Sequence, residues 1–200
     1  MRLGFIWRLR SMRVIAGQAK GRKLIAPAGL EIRPTADRMK EALFSAIGEG
    51  VCGCDFLDLF SGSGAIGIEA LSRGAKSAVF IDRESLILIK SNIVLCGFQD
   101  RSAVIGADCE KAVMRLGRER KEFDIAFLDP PYNKNLVAPT VGALLDSAVI
   151  KPGGLIIVEC ASGELGECGG LQQQRREIGL LKTKKYASTA FAFYVRLADA

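Results

Sequence analysis

Residues 55–67 read DFLDLFSGSGAIG, an apolar strand pattern that runs directly into a glycine-rich turn and the start of a helix. Gly62, Gly64 and Gly67 fit the pattern G-x-G-x-x-G, in which glycines let the backbone approach a ligand. Asp82 stands 20 residues after Gly62, at the end of the next predicted strand, where an acid accepts hydrogen bonds from ribose hydroxyls. This spacing predicts an adenosine-containing cofactor. It leaves both NAD and S-adenosylmethionine open.

The chain alternates predicted strands and helices on either side of this turn. The predicted strands are residues 55–60, 77–82, 103–105, 123–128 and 154–159, and the predicted helices that follow the first four end at or near residues 71, 96, 120 and 149. Repeated β-α units imply a parallel sheet covered on both faces. Two further strands, 177–186 and 189–197, are joined by a tight turn at Ala187-Ser188 and imply a last strand inserted antiparallel. We therefore expect an α/β fold with a seven-stranded, mostly parallel sheet.

The N-terminal region has a different pattern. Residues 13–25 have apolar ends around glycines and basic residues, which predicts a β-hairpin with a positive tip. Residues 39–47 form a predicted amphipathic helix, with Thr35 or Asp37 as its cap. We expect residues 12–50 to form a basic hairpin and helix and residues 51–200 to form the main domain. Residues 1–11 are treated as an extension, since Met12 is a second candidate start.

Composition narrows the class of protein. A chain of 200 residues with 49% apolar and 25% charged residues is typical of roughly one globular domain. No apolar run approaches the roughly 20 residues of a membrane span. The sequence has six scattered cysteines and no histidine, so we expect reduced thiols in a cytoplasmic protein and no metal site.

The positive charge is concentrated near the N-terminus. Residues 1–41 contain ten Lys/Arg and three Asp/Glu, a balance of +7, whereas the other 159 residues contain eighteen and nineteen, a balance of −1. Such an arm favours a polyanion such as RNA as the partner. The predicted RNA-binding residues are Lys20, Arg22, Lys23, Arg33 and Arg38.

The fourth predicted strand ends in Asp129-Pro130-Pro131-Tyr132. Prolines lack a backbone N–H, so this turn offers mainly acceptors, namely the Asp129 carboxylate and the Pro130 carbonyl. Tyr132 adds a flat ring that could stack on a base. These features suit a planar group with an exocyclic amine, as in a nucleobase.

Asp108 follows the third strand at the same edge of the sheet, where it could accept a hydrogen bond from an adenine amino group or cap the next helix. A cofactor site and an amine site would then adjoin at the switch point of the sheet. Methyl transfer from a sulfonium to an amine requires alignment and electrostatics rather than a histidine or a metal. A dehydrogenase would need an acid or base for hydride transfer, and the sequence shows none. The sequence therefore favours S-adenosyl-L-methionine as the cofactor.

The glycine turn, Asp82 and residues 129–132 resemble the motifs of class I, Rossmann-like, S-adenosylmethionine-dependent amino-methyltransferases. Residues 12–17 (MRVIAG), 21–24 (GRKL), 33–38 (RPTADR) and 41–44 (EALF) resemble the RsmD family more specifically, and the resemblance runs from Met12 to about Leu197. It implies methylation of the N2 amine of one guanine in 16S ribosomal RNA, in the assembled or partly assembled 30S subunit. A glycine would be expected after Tyr186, where this chain has Ala187.

The candidate site residues follow from these motifs. The predicted catalytic residues are Asp129, Pro130, Pro131 and Tyr132, and the predicted cofactor-binding residues are Asp58, Phe60, Ser61, Gly62, Ser63, Gly64, Asp82, Arg83, Asp108 and Cys109. Two other readings compete with an rRNA methyltransferase. One is an adenine-N6 or cytosine-N4 DNA methyltransferase. This reading is weakened by the length of the chain, which leaves little room for a separate DNA-recognition domain. The other is a non-catalytic RNA-binding assembly factor, which would not need the glycine turn, Asp82 and Asp129 together.

Overall fold

The structure, a computed structural model, describes residues 12–26, 34–131 and 134–198. Its strands are β1 Asp55–Leu59, β2 Ser77–Asp82, β3 Ser102–Gly106, β4 Phe123–Leu128, β5 Ile150–Ala161, β6 Ile178–Lys185 and β7 Thr189–Arg196. Its α-helices are α1 Pro34–Ile47, α2 Ala65–Ser72, α3 Leu86–Cys96, α4 Cys109–Arg118, α5 Val137–Asp146 and α6 Leu165–Gly169. Short 3-10 helices cover Gly48–Val51, Gln99–Arg101 and Leu171–Gln173.

The strands form one seven-stranded sheet in the order β3-β2-β1-β4-β5-β7-β6. The pairs formed among β1 to β5 are parallel, and β7 lies between β5 and β6 and is antiparallel to both. The predicted α/β fold with one antiparallel strand is confirmed. The order reverses between β1 and β4, so the carboxyl ends of these two strands flank the crevice where ligands bind in doubly wound sheets.

Helices cover both faces of the sheet, as a parallel sheet requires. One core packs α1, α2 and α3 against Phe56, Phe80, Phe127, Ile157 and Phe191. The other packs α4, α5 and α6 against the opposite face, where Leu57, Ile81, Leu128 and Val158 are fully buried. Alternate residues of each strand therefore enter different cores, and both faces are apolar.

Helix α1 begins earlier than predicted, at Pro34. Proline is favoured in the first helical turn because its missing N–H would have no helical partner there. Thr35 and Asp37 thus lie inside the first turn, and the prediction that one of them caps the helix at residue 39 was wrong. The Asp37 carboxylate instead pairs with Arg13, at 3.0 Å, and lies 3.9 Å from the Lys40 ammonium.

Residues 12–26, named the docked segment, include residues 13–25, which were predicted to form a β-hairpin. The segment does fold back on itself, with Val14 N–H donating to the Arg22 carbonyl at 2.9 Å. It contains a single antiparallel bridge, Arg13 to Lys23, and no strand within its described residues. The segment thus has the chain reversal of the predicted hairpin, with one bridge in place of two extended strands, and several of its other backbone groups bind helices.

Side chains of α2 and α3 supply further partners for the docked segment. Glu69 of α2 is completely buried and accepts from the N–H groups of Ile15 and Ala16, at 2.8 and 3.0 Å. Asn92 of α3 accepts from Ile25 N–H at 2.7 Å and donates to the Ile25 carbonyl at 2.9 Å. The segment is therefore fixed along the helices rather than extended from the body as a free arm.

The turn between β6 and β7 lies at Ala187-Ser188, as predicted. Tyr186 and Thr189 exchange backbone hydrogen bonds across it, at 2.8 and 3.2 Å. Neither central residue has a positive φ, so the turn is not of the primed type that favours glycine. The absence of a glycine after Tyr186 is thus compatible with the observed backbone.

None of the helices in the described ranges is long and apolar enough to cross a membrane. The same ranges contain no group of three or more His, Cys, Asp or Glu side chains placed to hold a metal ion. No disulfide joins any of the six cysteines, all of which lie in the described ranges.

Candidate active site

A cavity of ≈ 820 Å³ opens at the carboxyl ends of β1, β2, β3 and β4. It is within the usual size range of small-molecule sites. Its lining residues come from four separate stretches of sequence: Phe60; Asp82, Arg83, Glu84 and Ser85; Ala107, Asp108 and Cys109; and Asp129, Pro130, Pro131, Lys134 and Leu136. The parallel sheet thus brings the strand ends that carry the sequence motifs into one site.

The glycine turn is held in an unusual backbone conformation. Phe60, Gly62 and Gly64 all have positive φ, at 58°, 54° and 77°. This is strained for Phe60, a non-glycine residue, and such strain is common at ligand sites. Gly67 lies against the Phe80 ring, which a Cβ at this position would approach to 2.4 Å, so only glycine fits this first turn of α2.

Two serines of the turn are buried and bind the protein itself. Ser61 accepts from Ile81 N–H at 3.0 Å, and its hydroxyl lies 2.6 Å from the Asp58 carbonyl. The Ser63 carbonyl accepts from the Asn92 amide at 2.9 Å. These contacts connect β1 with β2 and α3, so the Ser61 hydroxyl and the Ser63 backbone hold the turn in place.

Asp58 is also buried, with 2% of its surface exposed. One of its carboxylate oxygens accepts from Gly67 N–H at 2.9 Å. Burial raises the pKa of Asp58 to about 7, against the lowering effect of that hydrogen bond, and the charges of Asp129 and Asp82 raise it further. Asp58 therefore fixes the start of α2 and does not line the cavity itself.

Asp82 lies at the end of β2 and organises the loop around it. One oxygen accepts from Gly62 N–H at 2.9 Å, and the other accepts from Glu84 N–H and Ser85 N–H, both at 2.8 Å. The carboxylate is partly exposed and lines the cavity. A carboxylate offers about four lone-pair sites, so one remains for a ligand after these three bonds.

Asp108 occupies the position directly before α4, but its side chain makes no capping hydrogen bond. The carboxylate is exposed on the cavity wall and has no hydrogen-bond or ion-pair partner among the described residues. Beside it, the Cys109 thiol is buried, and burial raises its pKa to about 12. Asp108 is thus free to accept from a ligand, whereas the Cys109 thiol stays protonated and packs in the core.

Asp129, Pro130 and Pro131 follow β4 at the other end of the cavity. The Asp129 side chain is accessible from the cavity and has no hydrogen-bond partner in the described ranges. The protein atoms on its remaining sides reduce its hydration and raise its pKa to about 6. Tyr132, the last residue of the motif, lies outside the described residues.

Four of the predicted RNA-binding residues, Lys20, Arg22, Lys23 and Arg38, do not line this cavity. Lys20, Arg22 and Lys23 are exposed together on the docked segment, and Arg38 is exposed on α1 without an ion pair to a described residue. Arg33 lies outside the described residues. Lys40, also part of the basic N-terminal region, is buried and donates to the Arg13 carbonyl, so it serves the fold.

One carboxyl group at the carboxyl edge of the sheet, that of Glu159, was not among the site residues predicted from the sequence. Glu159 of β5 is partly buried, and no hydrogen bond or ion pair joins it to another described residue. Burial, followed by the nearby charge of Asp129, raises its pKa well above the usual range. A glutamate within an otherwise apolar run, on the strand beside β4, was the signal that could have revealed it.

Comparison with known proteins gives the site a context. The family described as Conserved hypothetical protein 95 matches residues 12–195. YlbH of Bacillus subtilis strain 168 is 35% identical over 186 residues, which cover 92% of this chain and 98% of the relative. "Ribosomal RNA small subunit methyltransferase D" of Escherichia coli K12 is 36% identical over 151 residues, which cover 74% of each chain.

A solved structure shares the architecture as well. The yhhF protein of Escherichia coli superposes with a TM-score of 0.81 at 32% identity, over 94% of this chain and 99% of that chain. The match covers nearly the whole of both chains.

Proposed function

Since this chain belongs to the RsmD family of ribosomal RNA methyltransferases, we propose that it methylates the exocyclic N2 amine of a specific guanine in 16S rRNA. The proposed substrate is the assembled or partly assembled 30S subunit, in the cytoplasm. The methyl donor is S-adenosyl-L-methionine.

The residues at the cavity fit this cofactor. Asp82 has a carboxylate lone pair left for ribose hydroxyls, and the unpartnered Asp108 suits the adenine amino group. Gly62 has open space where a Cβ would stand, so its backbone can approach a ligand. Phe60, Arg83 and Cys109 would complete the cofactor site, while Asp58, Ser61, Ser63 and Gly64 hold the turn in shape.

The observation that carries the proposal is the free acceptor at Asp129, on the wall of the same cavity that Asp82 and Asp108 line. When bound, the cofactor supplies an electrophilic methyl group on a sulfonium, whose neutral thioether leaves without protonation. Asp129 and the Pro130 carbonyl would accept hydrogen bonds from the target amine and orient its lone pair. The Asp129 charge would also stabilise the positive charge that develops on nitrogen during attack.

The RNA-binding role of the basic residues is part of the proposal. Lys20, Arg22 and Lys23 are exposed side by side, and they face no carboxylate of the described chain at salt-bridge distance. Exposed cations of this kind suit phosphate contacts. Arg33, Arg38 and the stacking residue Tyr132 are assigned to the RNA on the sequence motifs alone.

Incubation with labelled S-adenosylmethionine tests the proposal. Purified protein is given 30S particles from cells without the gene, protein-free 16S rRNA, or duplex DNA, and the labelled nucleotide is then identified by digestion and mass spectrometry. We expect N2-methylguanosine at one position of 16S rRNA, with 30S as the best substrate. Label in adenine or cytosine of DNA would support the alternative enzyme, and no transfer to any substrate would support a binding protein.

A further inference from the structure

Glu159 lies beside the proposed amine site. Strands β4 and β5 are parallel, and Leu128 pairs with Val158, so the next residues along the two chains are Asp129 and Glu159. Neighbouring strands lie about 4.8 Å apart. Phe127 and Ile157, two residues earlier, both enter the core beneath α1, α2 and α3. Because side chains alternate along a strand, Asp129 and Glu159 point to the same face of the sheet.

The surroundings of Glu159 do not explain a carboxyl group. Phe191 is its pairing partner on β7, and Phe191 in turn contacts the rings of Phe127 and Tyr186, with centroids 6.5 and 5.9 Å apart. No described residue donates a hydrogen bond to Glu159 or forms an ion pair with it. A partly buried carboxyl without a partner costs stability unless a ligand satisfies it.

The proximity of two carboxyl groups also decides their charge. Two neighbouring carboxylates cannot both ionise easily, so the more enclosed group retains its proton. Glu159 is partly buried, whereas Asp129 is accessible from the cavity. Near neutral pH the pair therefore offers an ionised acceptor at Asp129 and, at Glu159, a neutral carboxyl with one donor and one acceptor.

We propose that Glu159 is a specificity-determining residue whose carboxyl pairs with the N1–H and O6 edge of the target guanine, while Asp129 holds the N2 amine. Guanine presents O6, N1–H and the N2 amine in a row along one edge. The Glu159 carbonyl oxygen would accept from N1–H, and its hydroxyl would donate to O6. Two adjacent carboxyl groups of opposite protonation thus match three adjacent groups of the base. The assignment rests on the proposed guanine-N2 activity.

The test uses 30S particles reconstituted with 2-aminopurine in place of the guanine identified by the mapping experiment. This base keeps the exocyclic 2-amine but lacks both N1–H and O6. The measured quantity is the ratio of kcat/KM for guanine to kcat/KM for 2-aminopurine. Comparing this ratio between variants cancels the different intrinsic reactivities of the two amines.

We compare wild type with Glu159→Gln and Glu159→Leu. Glutamine reproduces the donor and acceptor of a neutral carboxyl, so its ratio should stay within a few-fold of wild type. Leucine can make neither bond, so guanine methylation should fall about 10- to 100-fold, and the ratio should fall by a similar factor. Leucine suits the apolar surroundings, and unchanged cofactor affinity in calorimetry verifies that the variant is folded.

An unchanged ratio in Glu159→Leu would overturn the assignment, because Glu159 would then not distinguish the bases. A loss in Glu159→Gln as large as in Glu159→Leu would also overturn it, since the neutral carboxyl would not be the recognised form. Failure of the proposed function is a separate result. Wild-type protein would then place no methyl group on guanine N2 in the mapping experiment.

Discussion

The docked segment and the carboxyl edge of the sheet are both rich in polar groups, but they satisfy them differently. In the docked segment, buried Glu69 and Ser72 of α2 and Asn92 of α3 bind backbone groups of residues 15–25. At the carboxyl edge, the side chains of Asp108, Asp129 and Glu159 have no hydrogen-bond or ion-pair partner in the described chain.

This difference separates structural from functional polar residues. A buried polar group that the protein satisfies adds to the stability of the fold, and its loss is felt in folding. A group left unsatisfied in a cavity lowers stability and is retained where a ligand completes it. Substitutions at the two regions should therefore give opposite results when stability and activity are measured together.

The largest effect is expected for Asp129→Ala. Loss of the proposed acceptor for the target amine should reduce methyl transfer by about 10²- to 10³-fold or more, while cofactor affinity and stability change little. Single-turnover rates with saturating cofactor measure this directly. Because the ionised form of Asp129 accepts, wild-type transfer should also decline as the pH falls through about 6.

Asp124, at the other end of β4, provides the matched control. It accepts from Asp55 N–H and from the Lys151 ammonium, both at 2.8 Å. Asp124→Ala should thus lower stability and leave the transfer rate of the folded protein near wild type. Near-normal transfer by Asp129→Ala would show that the amine is held elsewhere.

Gly17→Ala should give the largest loss of stability. Gly17 has a φ of 80°, and a Cβ there would stand 1.8 Å from the Ser72 carbonyl oxygen of α2. Backbone strain and overpacking together should lower the free energy of unfolding by about 2–4 kcal/mol, measured by denaturant unfolding.

Gly21→Ala separates the two causes, because Gly21 has a φ of 81° but nothing within 4 Å of the added Cβ. Equal losses in both variants would mean that the contact with α2 contributes nothing.

Asp82→Ala tests a residue that both stabilises the fold and is proposed to bind a ligand. It removes the proposed ribose acceptor, worth roughly 1.5–3 kcal/mol or about 10-fold or more in cofactor affinity. It also frees the N–H groups of Gly62, Glu84 and Ser85, so stability should fall as well. Calorimetry that finds unchanged affinity in folded Asp82→Ala would contradict the ribose assignment.

Asp108→Ala should weaken cofactor binding without loss of protein stability.

Much of the fold follows from local patterns. Strands β2 and β4 have the predicted bounds, because a short apolar run between turn residues specifies a buried strand without tertiary information. The glycine turn and Asp82 were identifiable for a similar reason, since their spacing is local. The start of α1 was not, because Asp37 is a good capping residue by itself and only its contact with Arg13 gives it another role.

Contacts between distant segments account for the remaining differences. The docked segment has a hairpin-like sequence, but several of its backbone groups bind Glu69 and Asn92, more than 50 residues away in α2 and α3. Glu159 has no motif of its own, and its position beside Asp129 appears only when β4 and β5 pair. Sequence patterns thus located the strand ends of the site. The pairing of β4 with β5 was needed to find Glu159.

The smallest effect per residue is expected on the outer surface of the docked segment. Replacing Lys20, Arg22 and Lys23 together with alanine should leave folding and cofactor affinity unchanged, because these side chains are exposed and make no ion pair within the described chain. If each contacts a phosphate, the slope of log binding constant against log salt concentration for 30S binding should flatten by about 2 to 3, since each lost contact removes roughly 0.7–0.9.

The matched control is a second set of three exposed cations at or beside α4, on the opposite side of the sheet: Lys111, Arg118 and Lys121. Their replacement changes the net charge equally, so a long-range effect would appear in both triple variants and a local contact in the first alone. A wild-type salt slope in the first variant would mean that the docked segment is wholly structural and that the ribosome binds another surface.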